Sequence, residues 1–107
     1  MTILQDKDTF KERVRQWAEK LDVDFQSLAV RPMRNKWASC SSNGSLNFDA
    51  GLLALDHRLS DYVIVHELLN FRTPNHGKLW KSLMRVHLGD YENSEEELRR
   101  IAHGKSL

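Results

Sequence analysis

Tyr62-Val63-Ile64-Val65-His66-Glu67-Leu68-Leu69-Asn70-Phe71-Arg72-Thr73-Pro74-Asn75-His76-Gly77-Lys78-Leu79-Trp80 is the stretch whose reading decides the fold. An apolar run from Tyr62 to Val65 leads into His66 and Glu67, and Leu68 and Leu69 follow. A histidine, the glutamate after it and a second histidine four residues on share one helix face. There the imidazoles can hold zinc while the glutamate serves as general base. In this chain the position four after His66 is Asn70. His76 follows six residues later, after a Thr73-Pro74 break that should end the helix and turn the chain back. His66, His76 and Asn70 are therefore the candidate metal set, and Glu67 the candidate base. One ligand of three has become an amide.

Around this stretch the whole chain is tightly bounded. Its 107 residues suit one domain, spanning 1–107, with a modest core that needs no staples. Sixteen basic residues against fifteen acidic ones leave a net charge of +1, which gives no electrostatic footprint for nucleic acid or an anionic membrane. The single cysteine, Cys40, has no partner for an intramolecular disulfide, so a reducing, cytoplasmic setting is expected. No apolar run approaches the roughly 20 residues of a membrane helix, and the first residues lack a signal-peptide pattern.

The pattern along the chain alternates between helical and extended periods. Asp6 or Asp8 can cap a first helix that carries Phe10, Val14, Trp17 and Leu21 at helical spacing. Phe25 to Val30 reads as a strand closed by Arg31-Pro32. A second extended segment, about Lys36 to Ser41, meets the hairpin signal Ser42-Asn43-Gly44 and returns as Ser45 to Phe48. This return strand is short and directly precedes the segment leading to His66, so it is expected at the sheet edge, where an extended peptide can add. A short helical turn over Gly51 to Leu55 precedes the helix from about Leu59 to Phe71, which turns Leu59, Val63, Val65, Leu68 and Leu69 inward. The next helix should run from Asn75, as N-cap, to His87 with Leu79, Leu83 and Val86 inward, and Gly89 should end it. A final helix from about Ser94 to His103 starts acidic and ends basic, as the macrodipole favours. No linker, repeat or low-complexity segment interrupts this α+β pattern.

A His-Glu pair alone arises by chance on solvated helix faces. Here it follows an apolar run, position 70 keeps an oxygen-bearing side chain, a helix break comes next, and His76 opens the element after it. Taken with Trp37-Ala38-Ser39-Cys40-Ser41, Gly44-Ser45-Leu46-Asn47 and Asn75-His76-Gly77 with Trp80, the order resembles the YgjP-like metallopeptidases. Those are relatives of SprT-like and minimal gluzincin-type domains. The resemblance covers about Met33 to Tyr91. It implies a small α+β zincin-like domain with a short, mostly antiparallel sheet packed on an active-site helix, plus C-terminal helices. It also implies a peptide or protein substrate, zinc on His66 and His76, and Glu67 as the base that activates water. The family's usual glycine after the tryptophan is Ala38 here, a small change. Asn70 stands where the family has its second histidine ligand.

That exchange matters physically. Zinc prefers imidazole or thiolate, whereas an amide oxygen better suits magnesium, calcium or manganese. Three readings stay open: zinc held weakly with Asn70 or water filling in, an empty site on a retained cleft, or an engineered replacement of a natural histidine. Two function classes follow. One is a metal-dependent peptidase impaired at position 70; the other is an inactive pseudopeptidase that binds peptides or regulates. Among the remaining residues, Cys40 reads as a small, partly buried strand residue more readily than as a metal-sensing thiol. His57, His87 and His103 read as surface histidines. Trp37 and Trp80 are core or cleft-wall aromatics, with Trp37 the better candidate for substrate contact. Arg31, Arg34 and Lys36 form a small basic cluster, and Tyr91 is a minor candidate for an oxyanion donor.

Overall fold

The computed structural model describes residues 4–71, 73, 75–102 and 104–107. The chain runs through helix α1 (Lys7–Leu21), strands β1 (Ser27–Arg31), β2 (Ala38–Cys40) and β3 (Ser45–Asp49), a 3-10 turn at Ala50–Ala54, and helices α2 (His57–Asn70), α3 (Lys78–Leu88) and α4 (Tyr91–Ile101). Asp6 caps α1 by accepting from the Thr9 amide at 2.7 Å, satisfying one of the helix's free donors. Phe10, Val14, Ala18 and Leu21 form its buried stripe, and Asp22 closes it in the left-handed region at φ 57°.

The sheet is mixed, in the order β1-β3-β2. β2 and β3 form the expected antiparallel hairpin, with Ser39 opposite Asn47, while β1 lies parallel to β3. At the hairpin turn Gly44 adopts φ 91°, and a Cβ there would meet the Gln26 Cγ at 2.7 Å, so glycine is required. Leu46 and Phe48 share one face of β3 and are buried. The expectation of β3 as an exposed edge is wrong: it is the central strand, hydrogen-bonded on both sides. A hairpin signal names one neighbour of a strand and is silent about the other. The β2 side continues instead into a bridge between Lys36 and Ser106, with the Trp37 amide donating to the Ser106 carbonyl at 2.9 Å.

α2 is the centre of the molecule, packed against α1, α3, α4 and β2. Ten of its residues are buried, from Leu59 to Leu69. A helix buried on nearly every side needs an apolar sequence nearly all round, which is what the run before His66 supplies. Asp56 caps its start through the Leu59 amide at 3.2 Å. Its flank against α1 is tied by Arg13 pairing with Asp61, and by the Trp17 indole donating to the same carboxylate at 3.0 Å.

α3 and α4 depart from expectation in detail. α3 begins at Lys78 with Gly77 as N-cap and no side-chain cap bond; the Asn75 oxygen instead accepts from the Gly77 amide at 3.3 Å. Its buried residues are Trp80 and Met84, whereas Leu79 is 61% and Val86 77% exposed. The helix is rotated from the expected phase because the indole of Trp80 is pulled into the site beneath it. α4 starts at Tyr91, three residues before Ser94. The Pro74 break and the His103 helix end lie outside the described residues. Among the described residues, no helix is long and apolar enough to cross a membrane.

Candidate active site

The last turns of α2 carry His66, Glu67 and Asn70. His66 is 7% and Glu67 2% exposed, because the helix that bears them is the core helix. Past α2 the Thr73 amide reaches back to the Leu69 carbonyl at 2.8 Å and the His76 amide to the Thr73 carbonyl at 3.4 Å. His76 itself turns through φ 51°, a left-handed conformation uncommon for a residue with a side chain. This turn swings its ring back over α2.

The candidate metal set does come together. The rings of His66 and His76 lie 4.9 Å apart at 89°, and Nε2 of His76 donates to the Asn70 Oδ1 at 2.7 Å. Two imidazoles each about 2.0–2.1 Å from one zinc ion, arranged tetrahedrally, put their ring centres about 5 Å apart. The histidine pair therefore fits a shared cation, and Asn70 adds a neutral amide oxygen to it. Among the described residues, no three His, Cys, Asp or Glu side chains form a metal-holding group. The fit rests on two imidazoles and the amide.

Burial sets the electrostatics of the two side chains. Burial, then the neighbouring His76, pushes His66 down to about 4, so near neutral pH it is an uncharged ring with a lone pair to offer. Its Nδ1 has no hydrogen-bond partner among the described residues; the Glu67 carboxylate, at 3.9 Å, is too far. Glu67 is pushed up by burial, against the Cys40 thiol, the Asn70 amide and Lys36, which favour its charged form. A carboxyl held above its ordinary range is a stronger base than an exposed one. Cys40 is pushed up to about 11, first by burial and then by the Glu67 charge, and so stays a thiol.

A cleft of about 680 Å³ opens beside the histidines, with Trp37, Tyr62, Trp80, Tyr91 and Glu95 among its walls. Trp37 and Tyr91 thus reach the cleft as cleft-wall aromatics. Arg85 sits over the Tyr91 ring at 5.3 Å, and Lys105 over Trp37 at 4.9 Å. Of the basic cluster, Arg31 donates to the Asn47 Oδ1 at 3.3 Å and Lys36 acts on Glu67 and Cys40. His57 opens α2 and His87 packs edge-on against Trp17; neither joins His66, and His103 lies outside the described residues. Two features escaped the sequence reading. One is Cys40 facing Glu67 and Asn70, which strand alternation from buried Ala38 could have indicated. The other is Tyr62, one turn before His66, whose hydroxyl donates to the Glu95 carboxylate at 3.2 Å; the i, i+4 spacing was its signal.

Known proteins resemble this chain in sequence and fold. The uncharacterized protein MJ0123 of Methanocaldococcus jannaschii is 28% identical over 106 residues, covering 94% of this chain and 96% of that protein. The crystal structure of the metallopeptidase zymogen jannalysin, from Methanocaldococcus jannaschii, matches with a TM-score of 0.74 at 27% identity, over 91% of this chain and 95% of that one. The zymogen of Pyrococcus abyssi abylysin has the same fold, with a TM-score of 0.76 at 17% identity over 92% and 99% of the two chains. The family model of the YgjP-like metallopeptidase domain matches residues 4–101, and the chain belongs to that family.

Proposed function

We propose that the chain is a zinc-dependent peptide-bond hydrolase whose metal site is His66, His76 and Asn70, with Glu67 as general base, and whose activity is impaired by the amide at position 70. The observation that carries this reading is the convergence of His66, His76 and Asn70 beside a buried Glu67. Bound zinc would polarise the peptide carbonyl and make water more acidic. Glu67, raised by burial, takes the proton from the attacking water at its carboxylate and returns it to the leaving amine. Trp37 and the other cleft aromatics hold an extended peptide or protein segment against His66. The chain acts as one domain in the cytoplasm, a reading supported by its single core cluster and its free Cys40.

A second reading is favoured by one specific observation. Asn70 engages His76, Cys40 and Glu67 at once, so one amide partners three polar side chains of the site on its own. A domain built this way serves as a pseudopeptidase that binds peptides or regulates. The deciding experiment is cleavage of an unstructured peptide library by the unaltered chain, by Asn70→His, and by Asn70→His with Glu67→Gln. The enzyme reading expects a rise with the first exchange and its loss with the second. A zinc-loaded Asn70→His chain that cleaves nothing leaves the pseudopeptidase reading in its place.

A further inference from the structure

Trp80 touches both histidines of the site. Its indole stacks on the His76 ring with centres 4.2 Å apart and planes 18° off parallel. The same indole meets the His66 ring at 5.1 Å and 82°. Behind it, Tyr91 packs at 6.0 Å and 89°, and Trp80 as a whole is 5% exposed. One rigid aromatic surface is therefore wedged between α4 and the two imidazoles.

The two histidines need different amounts of support. His66 projects from the most buried helix of the fold, so its backbone is fixed by the core. His76 comes from a turn at φ 51°, outside any regular element, and its side chain is hydrogen-bonded to Asn70. That bond holds one edge of the ring and leaves the ring plane to be set by packing. Neither Nε1 of Trp80 nor Nδ1 of His66 has a hydrogen-bond partner among the described residues. The indole therefore meets the two imidazoles by ring packing.

We propose that Trp80 is a positioning residue of the metal site, fixing the His76 imidazole at right angles to His66 and at the separation one cation requires. This rests on the reading of His66 and His76 as metal-holding residues. Metal affinity depends on outer groups that orient the ligands, and their loss typically weakens binding about 10–100-fold. With an amide at position 70, the site depends all the more on the one histidine delivered by a turn.

Cobalt(II), read by its visible absorption and by competition with zinc, is the probe. Trp80→Leu is expected to weaken cobalt binding about 10–100-fold, while Trp80→Phe, which keeps a flat face, restores most of the affinity. Met84→Ala empties a buried position on the same helix; it is expected to lower the Tm yet leave the affinity unchanged. Equal binding by Trp80→Leu and the unaltered chain, where His66→Ala abolishes binding, overturns the positioning role alone. Equal weakening by Met84→Ala and Trp80→Leu also overturns it, by reducing the effect to lost stability. Equal binding by His66→Ala and the unaltered chain sinks the metal-site reading, and the proposal with it. Should Trp80→Leu fail to fold, the indole N–H resonances of the unaltered chain during a zinc titration decide. Trp80 should shift while Trp17 stays, and an unmoved Trp80 overturns the proposal.

Discussion

The amide oxygen of Asn70 accepts a hydrogen bond from Nε2 of His76 at 2.7 Å, across six residues and a left-handed turn. An amide oxygen can only accept, so the proton sits on that nitrogen. A cation reaching His76 through Nε2 has to displace it and break the bond to Asn70. Asn70 would thus compete with a bound cation for its neighbour. An imidazole at position 70 would have offered a lone pair to the cation instead.

Asn70→His should therefore bind zinc more tightly than the unaltered chain, by about 10–100-fold or more, since the proposed site has position 70 in its ligand shell. Zinc titration with elemental analysis of both proteins measures it. Equal, stoichiometric, tight binding by the two would place Asn70 outside the ligand shell.

Glu67→Gln should stabilise the metal-free chain while removing the base. Glu67 is buried and its carboxyl is raised, first of all by burial. A group raised in the folded state favours folding when protonated, and that advantage is lost as the pH climbs through the folded value. At pH 7 the buried carboxyl, held above its ordinary range, costs stability that the amide does not, so the Tm should rise by on the order of a few degrees. Near pH 4, where the carboxyl is protonated, the difference should shrink. A Tm gain that is the same at both pH values would locate the effect elsewhere.

His66 gives the opposite dependence on pH. Its folded value is depressed to about 4 by burial and by His76, against about 6.5 in an unfolded chain. Its contribution to stability is complete above 6.5 and is lost as the pH falls from there toward 4. Between pH 7 and pH 5 the loss comes to about 2 kcal/mol. Urea unfolding at both pH values should show this drop in the unaltered chain and a drop smaller by that amount in His66→Leu. If both chains lose the same stability, protonation of other groups governs the acid side.

Much of the fold was legible because several local signals agreed. The apolar run before His66 had to be a core helix, Asp6 or Asp8 had to cap α1, and Asn43-Gly44 had to turn a hairpin. What escaped was set by contacts between elements distant in sequence. Nothing in Ser45 to Phe48 announces that β1 lies on its far side, so β3 looked like an edge. Asn75 is a good capping residue, yet its oxygen is spent on the Gly77 amide. That His66, Asn70 and His76 would lie together was readable from the sequence, whereas the pairing of Asn70 with His76 depends on a positive φ that no pattern encodes.

The phase of α3 is the plainest case, and it can be tested. Leu79, Leu83 and Val86 recur at helical spacing, but so do Trp80 and Met84, and periodicity cannot choose between two apolar stripes on one helix. The structure chooses by packing: Met84 is fully buried and Trp80 nearly so, while Leu79 and Val86 face outward. Met84→Ala should therefore cost about 2–5 kcal/mol through the cavity it leaves. Leu79→Gln and Val86→Ala should each change stability by no more than about 0.5 kcal/mol, as exposed positions do. Urea denaturation of the three variants is the measurement. A large loss from Leu79→Gln with little from Met84→Ala would mean that α3 carries the opposite face inward, and that Trp80 cannot be stacked on His76.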